Sequence, residues 1–155
     1  MADFDTRLVR GSVEALSEEE RFWELMAPAW GEAGRGTRGQ RVLACATYFV
    51  RDVDNGGLDQ AIGNRDGTEL AEVRQALTLL GAADHVQLLQ RAELALLGAS
   101  PPASMEARQS MIDRHSRDWL DERIEPLNEQ FYGEERLYPY FREYIARHPE
   151  EFFRS

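Results

Sequence analysis

Apolar residues recur along this chain at the three- and four-residue spacing of α-helices. From Gln40 to Asp54 they cover most of a helical wheel, and this width predicts a central, buried helix. Ser17 followed by Glu20 forms a capping-box pattern that predicts the start of an earlier helix. No stretch alternates apolar and polar residues for long enough to predict a strand. The pattern therefore indicates an all-α fold.

Capping residues and glycines give the expected limits of the remaining helices. Thr68 is expected to cap a helix that Gly81 stops, and Ser104 is expected to begin another. The remaining expected segments are a short turn over 58–62 and helices over about 69–80, 84–97, 104–131 with a kink or a restart near Pro126, and 137–147. Together these segments predict a bundle of about six to eight helices.

The length of 155 residues suits a single domain over 1–155, in which 1–16 are expected to form a flexible N-terminal segment. The glycine-rich stretch over 31–39 predicts the most flexible loop. No apolar run approaches the roughly 20 residues of a membrane span, and the N-terminus does not resemble a signal peptide. We therefore expect a soluble, cytoplasmic protein with no membrane partner.

The charge balance narrows the classes of function. The chain has 28 acidic residues against 18 basic residues, all of them arginine, and its formal net charge is −10. The absence of lysine excludes Schiff-base chemistry and a P-loop lysine. Because affinity for nucleic acid depends on cations that neutralise phosphates, the negative charge opposes direct nucleic-acid binding. It favours a basic protein as the partner.

Acidic residues concentrate in two parts of the chain, with net charges of −4 over 51–72 and −5 over 117–135. Acids at helical spacing, such as Asp121 and Glu125, should face solvent because burying an unpaired acidic cluster costs several kcal/mol. Such acids are roughly 6 Å apart along a helix, in the range of phosphate spacing along a nucleic-acid strand. The expected partner-binding acidic face consists of Asp52, Asp54, Asp59, Asp66, Asp118, Asp121, Glu122, Glu125 and Glu129.

Motifs for catalysis and metal binding are missing from the sequence. His85, His115 and His148 have no partner at ligand spacing and are expected at helix ends or on the surface. No serine lies in a nucleophile-elbow motif, and Cys45 is expected to be a small buried hydrophobe. A run that begins like a calcium loop has Gly63 where the bidentate Glu should stand. No catalytic residue, metal ligand or cofactor is therefore expected.

Two alternatives stay open beside a non-enzymatic acidic interaction protein. Charge does not distinguish such a protein from an immunity or antitoxin protein that neutralises a nuclease. The other alternative is a metalloenzyme, since paired carboxylates such as Asp118 and Glu122 could turn inward around a divalent metal. The Glu-x-x-His motif of di-iron bundles is absent, which weighs against the metalloenzyme.

The most distinctive motif runs from Asn55 to Asn64 and places two consecutive glycines directly after the predicted central helix. Glycine reaches positive φ without a steric clash, so this pair predicts a sharp turn. We expect Asn55 and Gly56 to form a C-cap and Gly57 to allow the close approach of another helix. Gln60 and Asn64 are expected to tie the loop through amide hydrogen bonds.

This run resembles the Asn-Gly-Gly-x-x-Gln-x-x-x-Asn signature of the bacterial DNA-mimic protein family. Further parts of the family pattern follow in order: a helix ending in Gly81-Ala82, then Leu120-Asp121 with Phe131-Tyr132, then Tyr144-Ile145 with His148-Pro149. The resemblance covers about 40–153, the family-like core. It implies an all-helical, dimeric protein that occupies the DNA-binding surface of a basic regulatory or nucleic-acid-binding protein.

Overall fold

The computed structural model describes residues 4–31 and 35–155, and these residues form eight α-helices and a two-stranded parallel sheet. The strands are β1 (Leu8–Val9) and β2 (Phe153–Arg154). The helices are α1 (Glu18–Met26), α2 (Arg38–Gly63), α3 (Gly67–Leu79), α4 (Ala83–Leu97), α5 (Met105–Asp113), α6 (Arg117–Arg123), α7 (Glu125–Phe131) and α8 (Tyr138–Arg147). The expected all-α fold is confirmed. Within the described ranges, no helix is both long and apolar enough to cross a membrane.

The long helix α2 forms the centre of the structure. It packs against α1, α3, α4, α5 and α7, so apolar residues are needed on most of its sides. Its fully buried apolar side chains include Leu43, Ala46, Phe49, Val50, Val53, Leu58 and Ile62. The central, buried helix that the sequence pattern predicted is therefore confirmed, and it extends beyond the predicted range in both directions.

Capping boxes begin α1 and α2. The hydroxyl of Ser17 accepts the N–H of Glu20, and the Glu20 carboxylate accepts the N–H of Ser17, so the first capping box is confirmed. Thr37 and Gln40 make the same pair of bonds at the start of α2. This second box brings Arg38 and Gly39 into the helix, although both belong to the expected loop over 31–39. The part of that loop over 32–34 lies outside the described residues.

The start of α3 differs from the sequence prediction. The carboxylate of Asp66 accepts the N–H of Glu69 at 2.8 Å, so Asp66 is the N-cap. Thr68 lies inside the helix, and its assignment as the cap is wrong. Asp66 is the cap because Glu69, three residues later, completes a capping box with it. The predicted stop at Gly81 is confirmed by its φ of 77°.

The single helix expected over 104–131 is divided into α5, α6 and α7. Ser104 caps α5 as predicted, by accepting the N–H of Ala107 at 3.2 Å. Ser116 caps α6 by accepting the N–H of Trp119 at 3.1 Å, so the chain breaks over 114–116 where the apolar pattern suggested continuity. Pro126 lies in the first turn of α7, where its missing N–H is tolerated, so the restart expected near Pro126 is confirmed.

The two ends of the described chain meet in the parallel pair of β1 and β2, in which Leu8 is aligned with Phe153. The N–H of Leu8 donates to the Phe152 carbonyl at 2.9 Å. The Thr6 hydroxyl donates to Oε1 of Gln40 at 2.6 Å and joins this region to α2. The expectation of no strand is therefore corrected for the described residues, whereas the flexible segment over 1–16 stays a prediction. Strands of two residues are too short to produce an alternating pattern.

A buried arginine joins α5 to α4 and to the turn between α2 and α3. The side chain of Arg108 is only 1% exposed. Its guanidinium donates to the carbonyls of Arg65 and Pro102, each at 3.1 Å, and to the carboxylate of Glu93 at 2.9 Å. Each guanidinium nitrogen therefore has an acceptor, as a buried cation requires.

Gly57 interrupts α2 with a φ of 86° and a ψ of 172°. A Cβ atom at this position would lie 2.9 Å from Nδ2 of Asn128 and 2.9 Å from Oδ1 of Asp59. The position needs glycine both for its positive φ and for the close approach of the α7 side chain. The predicted role of Gly57 in a close helix approach is therefore confirmed.

We predict that Gly57→Ala lowers the free energy of unfolding by about 2–4 kcal/mol, because overlap with Asn128 is added to the strain of a positive φ. Gly81→Ala is the matched control, since Gly81 has a φ of 77° but no atom within 4 Å of the added Cβ. The control should cost only about 1 kcal/mol. Urea unfolding measures both variants, and equal losses would contradict the close approach at Gly57.

Candidate protein-binding surface

The buried side chain of Asn128 fixes α7 against the interruption in α2. Its Oδ1 accepts the N–H of Leu58 at 2.8 Å, and its Nδ2 donates to Oε2 of Glu125 at 2.9 Å. The Leu58 N–H directly follows the non-helical Gly57, where a regular intrahelical partner is lost. Asn128 therefore supplies a missing acceptor and places the acids of α7 beside those at the end of α2.

The phenol of Tyr132, just after α7, is surrounded by carboxylates from both acidic parts of the chain. Burial raises the pKa of this phenol, and four carboxylates raise it further: Glu125, Asp54, Asp59 and Glu129. Because such electrostatic effects weaken with distance, each of the four carboxylates lies within electrostatic reach of this phenol. We call these four acids the Tyr132 cluster.

The acids of the Tyr132 cluster differ in how firmly the structure holds them. The carboxylate of Asp54 accepts the N–H of Gly133 at 3.0 Å and fixes the turn after α7. Asp59 is half-buried, and burial raises the pKa of its carboxyl above the usual range. The side chain of Glu129 faces solvent. The cluster therefore combines acids that the structure holds in place with Glu129, which a partner can contact directly.

The acidic surface continues onto α6, where Asp118, Asp121 and Glu122 are exposed. We call these three residues the α6 acids. Arg117 forms an ion pair with Asp121 at 3.0 Å, but both side chains are more than half exposed. An exposed pair of this kind contributes little stability and is easily exchanged for another partner. The α6 acids face solvent, as the sequence argument expected.

Asp52 does not join this surface, although the sequence placed it in the acidic face. Its carboxylate accepts hydrogen bonds from Arg65 at 2.7 Å and from Gln60 at 3.1 Å, and it also accepts a weaker bond from Asn64. Burial favours the neutral carboxyl, but the bonds from Arg65 and Gln60 outweigh it and hold the pKa of Asp52 below its usual range. Asp66 is likewise engaged, as the cap of α3.

The Asn-Gly-Gly motif supports the fold. Asn55 and Gly56 keep helical geometry, and the interruption comes directly after them, at Gly57. The side chain of Gln60 packs over Gly56, since a Cβ there would lie 2.1 Å from its Oε1. Gln60 and Asn64 do tie the segment through their amides, but the acceptor is Asp52. Neither Asp52 nor Arg65 belongs to the Asn-Gly-Gly signature, so the motif gave no signal for this ion pair.

A wide, open groove of about 1430 Å³ lies on another side of α2, between this helix, α3 and α5. Asn55, Asn64 and Arg65 line one part of it, and Tyr48 contributes an exposed ring. Cys45 also lines the groove and is half-buried, and burial raises the pKa of its thiol to about 11. Cys45 therefore stays a neutral thiol near pH 7, but the expectation of a small buried hydrophobe is corrected in one respect, since the residue is only partly buried.

Aromatic rings border the groove. Trp30 packs edge-on against Trp23 at 5.2 Å and against Tyr48 at 5.3 Å between ring centroids. The guanidinium of Arg51 lies over both tryptophan rings. Arg51 also pairs with Glu134, so its charge is shared between the rings and a carboxylate. The groove is thus lined by mixed chemistry, whereas acidic residues outnumber arginines on α6 and α7.

The histidines occupy three different environments, one of which was not expected. His85 lies in the first turn of α4, so its expected place near a helix end is confirmed, but its side chain is only 2% exposed and packs against the ring of Phe131. His115 stacks on Trp119 at 3.8 Å, and His148 lies directly after α8. The ring of His85 has one polar contact, in which its Nδ1 lies 3.2 Å from a carboxylate oxygen of Asp84.

The fold and this surface define a small, acidic, helical protein with an Asn-Gly-Gly interruption in its central helix. The chain belongs to the DMP19-like protein family, whose model matches residues 35–148. This match confirms the resemblance to the DNA-mimic family that the motif indicated. A comparison with curated proteins and another with solved structures returned no match.

We predict that Asp52→Asn lowers the free energy of unfolding by about 2–4 kcal/mol near neutral pH, because Arg65, with its side chain 7% exposed, would lose its counter-ion. Asp52 has a lowered pKa in the folded state, so its contribution is present above the unfolded pKa. The contribution is lost as the pH falls through the folded pKa. The difference between wild type and variant in urea unfolding should therefore shrink on acidification.

Glu143→Gln is the matched control for this measurement. It removes a carboxylate from the pair with Arg147, in which both side chains are more than half exposed. The control should cost less than about 0.5 kcal/mol at either pH. A loss for Asp52→Asn as small as this would show that the buried ion pair does not support the segment after Gly57.

Proposed function

We propose that this protein is a non-enzymatic acidic decoy that occupies the DNA-binding surface of a basic protein through the Tyr132 cluster and the α6 acids. Its membership of the DMP19-like family supports this class of function. The observation that carries the proposal is the packing of α7 on the interruption in α2, where the bonds of Leu58 to Asn128 and of Gly133 to Asp54 bring two acidic parts of the chain together. Residues more than sixty positions apart, such as Asp59 and Glu129, act on one phenol.

The rigidity of this surface supports the proposal. Asn128 bonds to the backbone of α2 and to Glu125, and Gly133 bonds to Asp54. These bonds fix both helices before any partner arrives, so little ordering entropy is lost on binding. A preformed negative surface also accelerates encounter with a basic partner.

The spacing of the acids supports mimicry of a phosphate backbone. Asp118 and Glu122 are four residues apart on α6, which corresponds to roughly 6 Å along the helix axis. Phosphates along one nucleic-acid strand are several ångströms apart, in the same range. A protein that reads the backbone of DNA through arginine and lysine would therefore find acceptors at comparable intervals. Unlike DNA, this surface offers no bases or sugars.

The alternative of a carboxylate metalloenzyme finds no support in the placement of these acids. It needs the pairs on α6 and α7 to point inward, whereas Asp118, Glu122 and Glu129 face solvent. A mimic that binds protein needs no catalytic residue and no cofactor. The same surface would repel free nucleic acid, in keeping with a basic protein as partner. We retain a homodimer as the expected assembly.

We predict that Asp118→Lys combined with Glu122→Lys and Glu129→Lys weakens binding to the partner at least about tenfold at low salt. These acids are exposed and are not among the residues that hold Asn128 or Gly133 in place. The partner is first captured from a lysate of the source organism and eluted with graded salt. Purified partner is then titrated with each variant, with labelled duplex DNA present as the competitor.

The control variant carries Glu14→Lys, Glu106→Lys and Asp113→Lys, three exposed acids outside the proposed surface. It changes the net charge by the same amount and should bind within about twofold of wild type. If both triple variants bind alike, the surface is wrongly assigned. If the partner binds duplex DNA and this protein together, the decoy mechanism is wrong. A nuclease as the captured partner would instead favour the immunity class.

A further inference from the structure

Three possible metal ligands lie close together in a tight turn after α8. The backbone leaves the helix at His148 and makes a single 3₁₀ turn over Pro149–Glu151. This turn brings together the ligand atoms of His148, Glu150 and Glu151, all within 4.8 Å of one another. Among the described residues, these three form the one group of histidine, cysteine and acidic side chains with such spacing.

The distances within this group are too long for hydrogen bonds. Nδ1 of His148 lies 3.8 Å from Oε1 of Glu150 and 3.9 Å from Oε2 of Glu151. Two ligand atoms bound to one tetrahedral Zn²⁺ are about 3.3 Å apart. Rotation of Glu150, whose side chain is 67% exposed, can close the remaining gap. The separations therefore suit a shared cation better than direct contact.

Other residues already hold two of these ligands in position. Oε1 of Glu151 accepts the N–H of Gly39 at 2.9 Å, which leaves Oε2 facing His148. The Thr37 hydroxyl donates to the Glu151 carbonyl at 2.6 Å. The ring of Tyr144 packs against His148 at 4.6 Å between centroids. Bonds to the outer atoms of metal ligands orient them in the same way in known metal sites.

The geometry points to a site for a borderline divalent cation such as Zn²⁺, bound by Nδ1 of His148 and by carboxylate oxygens of Glu150 and Glu151. An imidazole nitrogen selects Zn²⁺, Co²⁺ or Ni²⁺ over Mg²⁺, which prefers oxygen ligands alone. Three protein ligands leave a fourth position for water. Bound metal would join the turn after α8 to the start of α2, because Glu151 also contacts Gly39.

The test is a titration of the whole protein with ZnCl₂ by isothermal calorimetry, with MgCl₂ as the comparison. We expect one Zn²⁺ per chain with a micromolar dissociation constant, a rise in melting temperature on adding Zn²⁺, and no Mg²⁺ binding at the same concentrations. Both His148→Ala and Glu150→Gln should weaken Zn²⁺ binding by about tenfold or more. Glu150 is exposed, so its variant keeps the fold, as circular dichroism can verify.

Two controls separate this site from other ways of binding metal. Glu143→Gln removes an exposed carboxylate of α8 one turn earlier and should bind Zn²⁺ like wild type. Cys45→Ser should also bind like wild type, since its thiol lies in the groove on α2. Absence of Zn²⁺ binding would overturn the proposal. Equal binding by wild type and Glu150→Gln, or loss of binding in Cys45→Ser, would do so as well.

Discussion

The bond between the Leu58 N–H and the side chain of Asn128 is the constraint on which the arrangement of the acidic surface depends. A central helix must be interrupted for this N–H to become available, and Gly57 supplies the interruption. The missing Cβ of Gly57 also makes room for the amide of Asn128. One helix defect thus creates both the donor and the space for its acceptor. The position of α7 follows from this pairing, and with it the position of Glu125 and Glu129.

The same interruption gives two acids of α2 different roles. Asp52 and Asp59 are seven residues apart and would share one face of a straight helix. Gly57 lies between them; Asp52 bonds to Arg65 beside the groove, whereas Asp59 acts electrostatically on Tyr132 and raises the pKa of its phenol. Asp52 is neutralised within the fold, and Asp59 adds to the surface charge. The number of acids in a segment therefore overstates the charge that a partner meets.

The sequence predicted those features that depend on neighbouring residues and failed where distant partners decide. The wide apolar pattern of α2, the capping box at Ser17 and the stop at Gly81 are local signals, and the structure confirms them. The ion pair of Asp52 with Arg65 and the burial of His85 depend on tertiary contacts that no local pattern contains. The break over 114–116 was missed because the hydroxyl of Ser116 competes for a backbone N–H in a segment whose apolar spacing suits continuity. In the candidate site, the exposure of the α6 acids could be predicted from the cost of burying charge. The residues that lie beside these acids could not be predicted from the sequence.

The pairing of β1 with β2 has a consequence for how the protein is made. Leu8 is aligned with Phe153, and Gly39 lies against the ring of Phe152, so the first and last elements complete each other. Contacts this distant in sequence close slowly, because a long loop must be ordered first. During synthesis, β1 has no strand to pair with and the start of α2 lacks its cover until 152–154 leave the ribosome. The helices between them can pack together earlier, so among the described elements the pairing of β1 with β2 forms late.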